Sequence, residues 1–320
     1  MMRTLTCGAL AACVLGLPPA GQHQPTFRGG NDAVRVFVTV TDRDGRLVTT
    51  LTQDNFDVRD EGKPQPITQF DNKPQPIRLI VMLDVSGSME GNLPLLRAAS
   101  AQLFARLRPD DGARVGAFGH EVTISEAFTR DPDELAAALP TRIAPDAPTP
   151  LWRAIDQAMD AFAGPDDRRK AILVLSDGKD TGATGPLSFR KRPASQAEVI
   201  DRARRDDVMI YGVGMRSRSR QPMPPGGGPG GLQAMLLADM PDPGLARVAE
   251  EAGGGYLEIR AGLDLGAAFA GVADELHSQY LLGYAPPKRD GKTHDINVRV
   301  NQGGLKARAR KNYVAPKEAS

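Results

Sequence analysis

The stretch RLIVMLDVSGSMEG, residues 78 to 91, is apolar from Leu79 to Leu83, stops at one aspartate, Asp84, and then sets Ser86 and Ser88 two positions apart. Apolar residues at consecutive positions, rather than at every second one, fit a strand covered on both faces. Asp84 then marks where that strand emerges, and Gly87 between the serines permits a tight bend. Two hydroxyls so spaced can point at one spot, with the carboxylate beneath them.

Working outward, four more apolar runs follow: ARVGAFG (113–119), KAILVLSD (170–177), VMIYGVG (208–214) and GYLEI (255–259). Between them apolar residues fall at helical spacing, first at Leu96, Ala99, Leu103, Phe104 and Leu107, then at Leu151, Ile155, Ala158, Met159 and Phe162. A last set comprises Leu265, Ala268, Phe269, Val272 and Leu276. Strands alternating with helices predict a doubly wound, mostly parallel α/β sheet, and such sheets place their sites at the carboxyl ends of the strands.

The two ends read differently. Valines 34, 36, 38 and 40 alternate with other residues, and DRDG (42–45) supplies a turn, so residues 31–77 are expected to form a small β module. After the last helix, SQYLLGY (278–284), the alternating Ile296, Val298 and Val300, and LKARARKNYV (305–314) are further strand candidates. Short terminal strands make poor independent sheets, so residues 278–314 are expected to pair with the N-terminal module as one β-sandwich flanking the α/β domain of residues 78–276. Within LKARARK (305–311) the alternating cations are expected on an outward strand face that discourages edge pairing. SRSRQPMPPGGGPGG (217–231) reads as a surface insertion.

Composition narrows the function. With 40 basic and 39 acidic residues among 320, no bulk field points to nucleic acid. The start combines Arg3, an apolar stretch from Leu5 to Leu17 and a small residue at Ala20, which reads as a signal peptide over residues 1–20 and an exported, periplasmic or extracellular product. LAAC (10–13) offers lipid anchoring at Cys13 as the alternative. Both cysteines, Cys7 and Cys13, sit in this leader, so cleavage near Ala20 leaves no thiol chemistry. No later stretch is long and apolar enough to be a membrane helix.

The third apolar run repeats the device of the first, ending at Asp177 before Gly178, and Thr149 precedes a helix beginning near Pro150. Asp84, Ser86, Ser88, Thr149 and Asp177 can therefore converge from three loops. Oxygen donors without His or Cys suit a hard divalent cation, with Mg²⁺ the first choice and Mn²⁺ or Ca²⁺ as alternatives. If the serines bind directly while the aspartates act partly through water, the ion keeps its appetite for one more carboxylate. Competing chemistries lack their residues: position 86 is serine where a haloacid-dehalogenase phosphatase needs a second aspartate, and no Gly-x-Ser-x-Gly, His-Glu-x-x-His or Gly-x-Gly-x-x-Gly motif occurs in a fitting place. His120 with Glu121 reads as a solvated loop pair, and Trp152 as core or rim packing.

DVSGS after a buried strand, TPL opening a helix and SDG after another buried strand resemble the von Willebrand factor type A domain and its metal-ion-dependent adhesion site. The likeness spans about residues 77–276, and the flanking segments are similar to those of exported bacterial proteins related to this domain. It implies ligation by the hydroxyls of Ser86, Ser88 and Thr149, with Asp84 and Asp177 holding the ion directly or through water. It further implies a non-enzymatic module that captures a protein or matrix ligand through a carboxylate. Two other readings stand beside it: a structural component of an envelope or secretion assembly, and a metal-dependent hydrolase.

Overall fold

The computed structural model describes residues 33–89, 91–164, 166, 168–176, 180–182, 194–215, 243–259 and 264–317. The expected leader, the Pro/Gly insertion and Asp177 lie outside the described residues.

The central element is a six-stranded sheet. Its strands are β5 (Ile77–Asp84), β6 (Gly112–Phe118), β7 (Val122–Ile124), β8 (Arg169–Ser176), β9 (Val208–Met215) and β10 (Tyr256–Ile259), in the order β10-β9-β8-β5-β6-β7. All neighbours are parallel except the short edge strand β7, which returns antiparallel on β6. Alternate residues of β5 serve two cores. Leu79, Val81 and Leu83 pack on one face against Leu96, Ala99 and Leu103 of α1 (Leu93–Phe104), with Leu135 of α2 (Pro132–Ala137) in the same core. Ile80 and Met82 pack on the other against Ile155 and Ala158 of α3 (Leu151–Asp160), Val199 of α4 (Gln196–Asp206) and Val248 of α5 (Pro243–Glu251). The first core is completed by Leu265, Phe269, Ala273 and Leu276 of α6 (Leu265–His277). Both faces of β5 are thus covered, which is why its sequence shows no polar alternation. Trp152 lies in the second core, 9% exposed.

The ends of the chain form two four-stranded sheets around a third core. One has the order β13-β1-β11-β4, from β1 (Val34–Thr41), β4 (Gln69–Asp71), β11 (Tyr280–Tyr284) and β13 (Lys306–Arg308). The other, β14-β12-β2-β3, uses β2 (Phe56–Asp60), β3 (Lys63–Gln65), β12 (Thr293–Val300) and β14 (Asn312–Val314). Val36 faces Leu282 and Val58 faces Val298 across antiparallel pairs that join the two ends of the chain. Val36, Val38, Phe56, Val58, Tyr280, Leu282 and Tyr284 are buried together. Among them sits Asp60, 0% exposed, which accepts hydrogen bonds from the hydroxyls of Tyr284 and Tyr313 and contacts His294 Nδ1 at 3.1 Å. Burial, then these neighbours, pushes both tyrosine pKa values up.

Two expectations are corrected. The segment 305–314 is two strands, not one: β13 pairs with β1 in the first sheet and β14 with β12 in the second, the chain changing sheets between them. Its arginines do not form an outward face either. Arg308 binds Glu275 of α6, and Arg310, 14% exposed in its side chain, binds Asp207 at 2.7 Å. The crossing between sheets turns both side chains onto the α/β domain, where carboxylates await them.

At this junction Arg169, the first residue of β8, is buried. It donates to Gln279 Oε1 at 2.6 Å and to the Leu276 carbonyl at 2.5 Å, and its guanidinium lies 4.8 Å from the Phe37 ring centre. Gln279 passes the network to Thr39 Oγ1 and the Tyr211 hydroxyl, and both of these hydroxyls donate to Glu275. Sheet, last helix and sandwich are tied by one buried polar network.

Candidate metal centre

The chain leaves β5 through α1 toward β6 on one side, and leaves β8 through α4 toward β9 on the other. The carboxyl ends of β5 and β8 therefore flank a switch point, where open α/β sheets bind ligands. The register pairs Leu83 with Leu175, which sets Asp84 beside Ser176. Asp84 is 0% exposed. Its Oδ2 accepts the Ser176 hydroxyl at 2.6 Å, and its Oδ1 accepts the Ser86 N–H at 2.9 Å, which closes the turn after the strand.

The loop after β5 is pinned from two sides. The Val85 N–H donates to the Phe118 carbonyl at 3.0 Å, and the Val85 carbonyl accepts from the Ala144 N–H at 3.0 Å. A short 3-10 turn, Gly87–Met89, follows, with the Met89 N–H donating to the Ser86 carbonyl. Gly87 has to be glycine because a Cβ there would lie 2.0 Å from the Pro145 carbonyl oxygen. This approach seats the loop that ends at Thr149 directly on the loop that carries Ser86 and Ser88.

Thr149 is tied to a third loop. Its N–H donates to Thr181 Oγ1 at 2.7 Å, and its carbonyl accepts the Thr181 N–H at 3.1 Å. Asp180 Oδ1 accepts the N–H of Leu151, the first residue of α3, at 2.8 Å. The loop that follows Asp84 thus meets the loop that ends at Thr149 through Val85 and Gly87, and that loop meets residues 180 and 181, which follow Asp177 in sequence. The backbone of Ser88 lies in the 3-10 turn, while its side chain and Asp177 are outside the described residues.

Ser86 is 2% exposed and Thr149 4%. Among the described residues the Thr149 hydroxyl has no hydrogen-bond partner, although both backbone groups of that residue are engaged. A hydroxyl on a loop that packs against the one following the buried Asp84 fits a hard-cation donor set. Among the described residues no cluster of three or more His, Cys, Asp or Glu gathers to hold a metal.

Sequence reading left out four residues of this neighbourhood. Ser176 is the neighbour of Asp84 across the strands, which register alone reveals. Asp180 and Thr181 fix the Thr149 loop. His120, expected to be a solvated pair with Glu121, instead lies with its Nε2 3.2 Å from Asp146 Oδ1, on the loop leading to Thr149. That contact holds the Asp146 carboxyl below its ordinary value, though both partners are exposed and the pair contributes little stability.

A doubly wound, mostly parallel α/β domain whose loops after β5 and before α3 pack together at the switch point is thus the class that geometry defines. Residues 79–179 match the family model of the von Willebrand factor type A domain, and the protein carries that domain. No curated protein matches the chain in sequence. Among solved structures, the conserved hypothetical protein BatB from Bacteroides thetaiotaomicron is 17% identical over 62% of this chain and 97% of its own, with a TM-score of 0.46. A von Willebrand factor type A protein from Catenulispora acidiphila is 12% identical over 90% of this chain and 75% of its own, at 0.47. Proximal thread matrix protein 1 from the mussel byssus, solved with a zinc-occupied MIDAS motif, is 14% identical over 69% and 50%, also at 0.47.

Proposed function

We propose that this protein is an exported binding module in which Asp84, Ser86, Ser88, Thr149 and Asp177 hold a divalent cation, Mg²⁺ first, and through it capture an acidic side chain of a protein or matrix partner. The observation that carries this reading is the packing of the loop that ends at Thr149 against both the loop that follows the buried Asp84 and residues 180 and 181. Bound there, the cation would supply a coordination position for a carboxylate oxygen. The chain's own part is to fix the donors. Asp84 is oriented by Ser86 and Ser176, and the close seat of Gly87 on Pro145 holds the serine loop against the threonine loop. The leader-like start supports export, and among the described residues no helix is long and apolar enough to cross a membrane. The chain acts by binding and not by turnover.

The test is a calorimetric titration of the full chain with Mg²⁺ and Mn²⁺, alongside Asp84→Ala. Saturable binding that the variant loses is expected. Pull-downs from the native envelope and secretome, with Mg²⁺ and with chelator, should then show partners that disappear in both the chelated and the variant sample. Equal cation affinity in wild type and variant would refute the site.

A further inference from the structure

We propose that Asp180 and Thr181 are positioning residues for Thr149, locking two ligand-bearing loops into one unit and so setting the affinity of the site for its cation. The inference rests on the cation reading of Asp84, Ser86 and Thr149, and adds residues outside that donor set.

It begins with Pro150. This residue occupies the N-cap of α3, and no side chain of the cap accepts a hydrogen bond. A helix start needs acceptors for its first N–H groups, ordinarily from a Ser, Thr, Asp or Asn at the cap. Proline has no such oxygen. Leu151 is 0% exposed, so water does not readily replace it. The Leu151 N–H is shared instead between the Thr149 carbonyl at 2.9 Å and, from 29 positions away, Asp180 Oδ1 at 2.8 Å.

Thr181 completes the arrangement one residue further on. Its hydroxyl oxygen takes the Thr149 N–H at 2.7 Å, and its own N–H goes to the Thr149 carbonyl at 3.1 Å. Thr181 engages both backbone groups of Thr149, whose carbonyl also accepts the Leu151 N–H at 2.9 Å, so the peptide planes on either side of its Cα are fixed. A β-branched side chain on a fixed backbone has few χ1 choices. The hydroxyl, the only polar group of Thr149 left uncommitted among the described residues, therefore has its direction set by Thr181.

The clamp also joins loops. Residues 180 and 181 lie just beyond Asp177 on the segment leaving β8, whereas Thr149 lies on the loop seated against Gly87. Without the clamp the threonine loop would lose its tie to the segment leaving β8, and its donor would have to be ordered at the moment of cation binding. Partners that orient metal ligands without touching the metal typically change affinity by about 10- to 100-fold when removed.

Thr181→Val is the informative variant, because it keeps the shape and β-branching of threonine and deletes the acceptor. Thr181→Ser restores the oxygen and is the rescue. Val199→Ala, in the core of α4 and away from the site, is the control for lost stability alone. Each full-length chain is titrated with Mn²⁺ by calorimetry, and exchange of the Thr149 and Leu151 amides is followed without metal. Thr181→Val is expected to bind Mn²⁺ about 10- to 100-fold more weakly and to exchange faster at those amides, with Thr181→Ser and Val199→Ala close to wild type in affinity. If Thr181→Val exchanges faster yet binds as wild type does, while Asp84→Ala loses the ion, the clamp is structural only: the inference falls and the site stands. If the wild-type chain shows no saturable Mn²⁺ binding, the site reading falls and the inference with it.

Discussion

Arg169→Met tests whether the buried junction between the α/β domain and the sandwich stabilises the protein or merely tolerates a trapped charge. The residue is 5% exposed. Burial pulls its pKa below the usual arginine value against the pull of Tyr211, Glu275 and Asp111, and the group stays charged. The substitution strands two acceptors, Gln279 Oε1 and the Leu276 carbonyl, at about 1–3 kcal/mol each. It also removes the contact with the Phe37 ring, worth about 2 kcal/mol when desolvated. Against this, Arg169 Nε is buried with no hydrogen-bond partner, and deleting it returns about 1–3 kcal/mol. Met fills most of the arginine stem, so little cavity is added. The expected net loss is about 3 kcal/mol, in the lower part of the range for breaking a buried charged contact. Urea unfolding reads it. Trp152, the single tryptophan of the chain, reports the α/β half by fluorescence, and far-UV ellipticity reports both halves. A midpoint lowered at unchanged slope, seen by both probes, is the expected outcome. A variant as stable as wild type, or more so, would mean that desolvation of the guanidinium outweighs its bonds, and the view of this network as a stabilising joint would be refuted.

Gly87→Ala should be costly at the site, because the new methyl meets the Pro145 carbonyl oxygen at 2.0 Å; weaker Mn²⁺ binding by calorimetry, with the far-UV spectrum unchanged, is expected, and wild-type affinity would show that the two loops do not need this close seat. Asp111 supplies a pH dependence. Burial would raise its carboxyl, but hydrogen bonds from His277 at 2.8 Å and from the N–H groups of Arg108 and Ile77 outweigh that and hold it below its ordinary value. A depressed carboxylate contributes stability above the unfolded-state pKa and loses it as pH falls through the folded one. Wild-type stability should therefore drop below about pH 4, and urea midpoints of Asp111→Asn between pH 7 and pH 3 should be lower at neutrality and flatter on the acid side; parallel curves would exclude this contribution.

Much of the fold was legible for a physical reason. Strands buried on both faces must be apolar at consecutive positions, so β5, β8 and β9 were visible within a residue of their ends. The helix α4 went unnamed although SQAE (195–198) announces it: Ser195 and Glu198 cap each other's backbone in the structure. Its apolar face is only Val199, Ile200 and Ala203, too narrow for periodicity to stand out. The division of 305–314 between two sheets had no local signal, since alternation persists through a strand that changes partners.

The sequence by itself determined the alternation of strands and helices, the oxygen character of the candidate donors and their places after β5, before α3 and after β8, because these depend on covalent order and local pattern. Tertiary structure alone decided what surrounds them. Strand register set Ser176 on Asp84, a steric approach fixed Gly87 on Pro145, and a proline-capped helix drew a second acceptor for its first N–H from Asp180. Such contacts join residues 29 to 92 positions apart, and no local preference of either partner encodes the other.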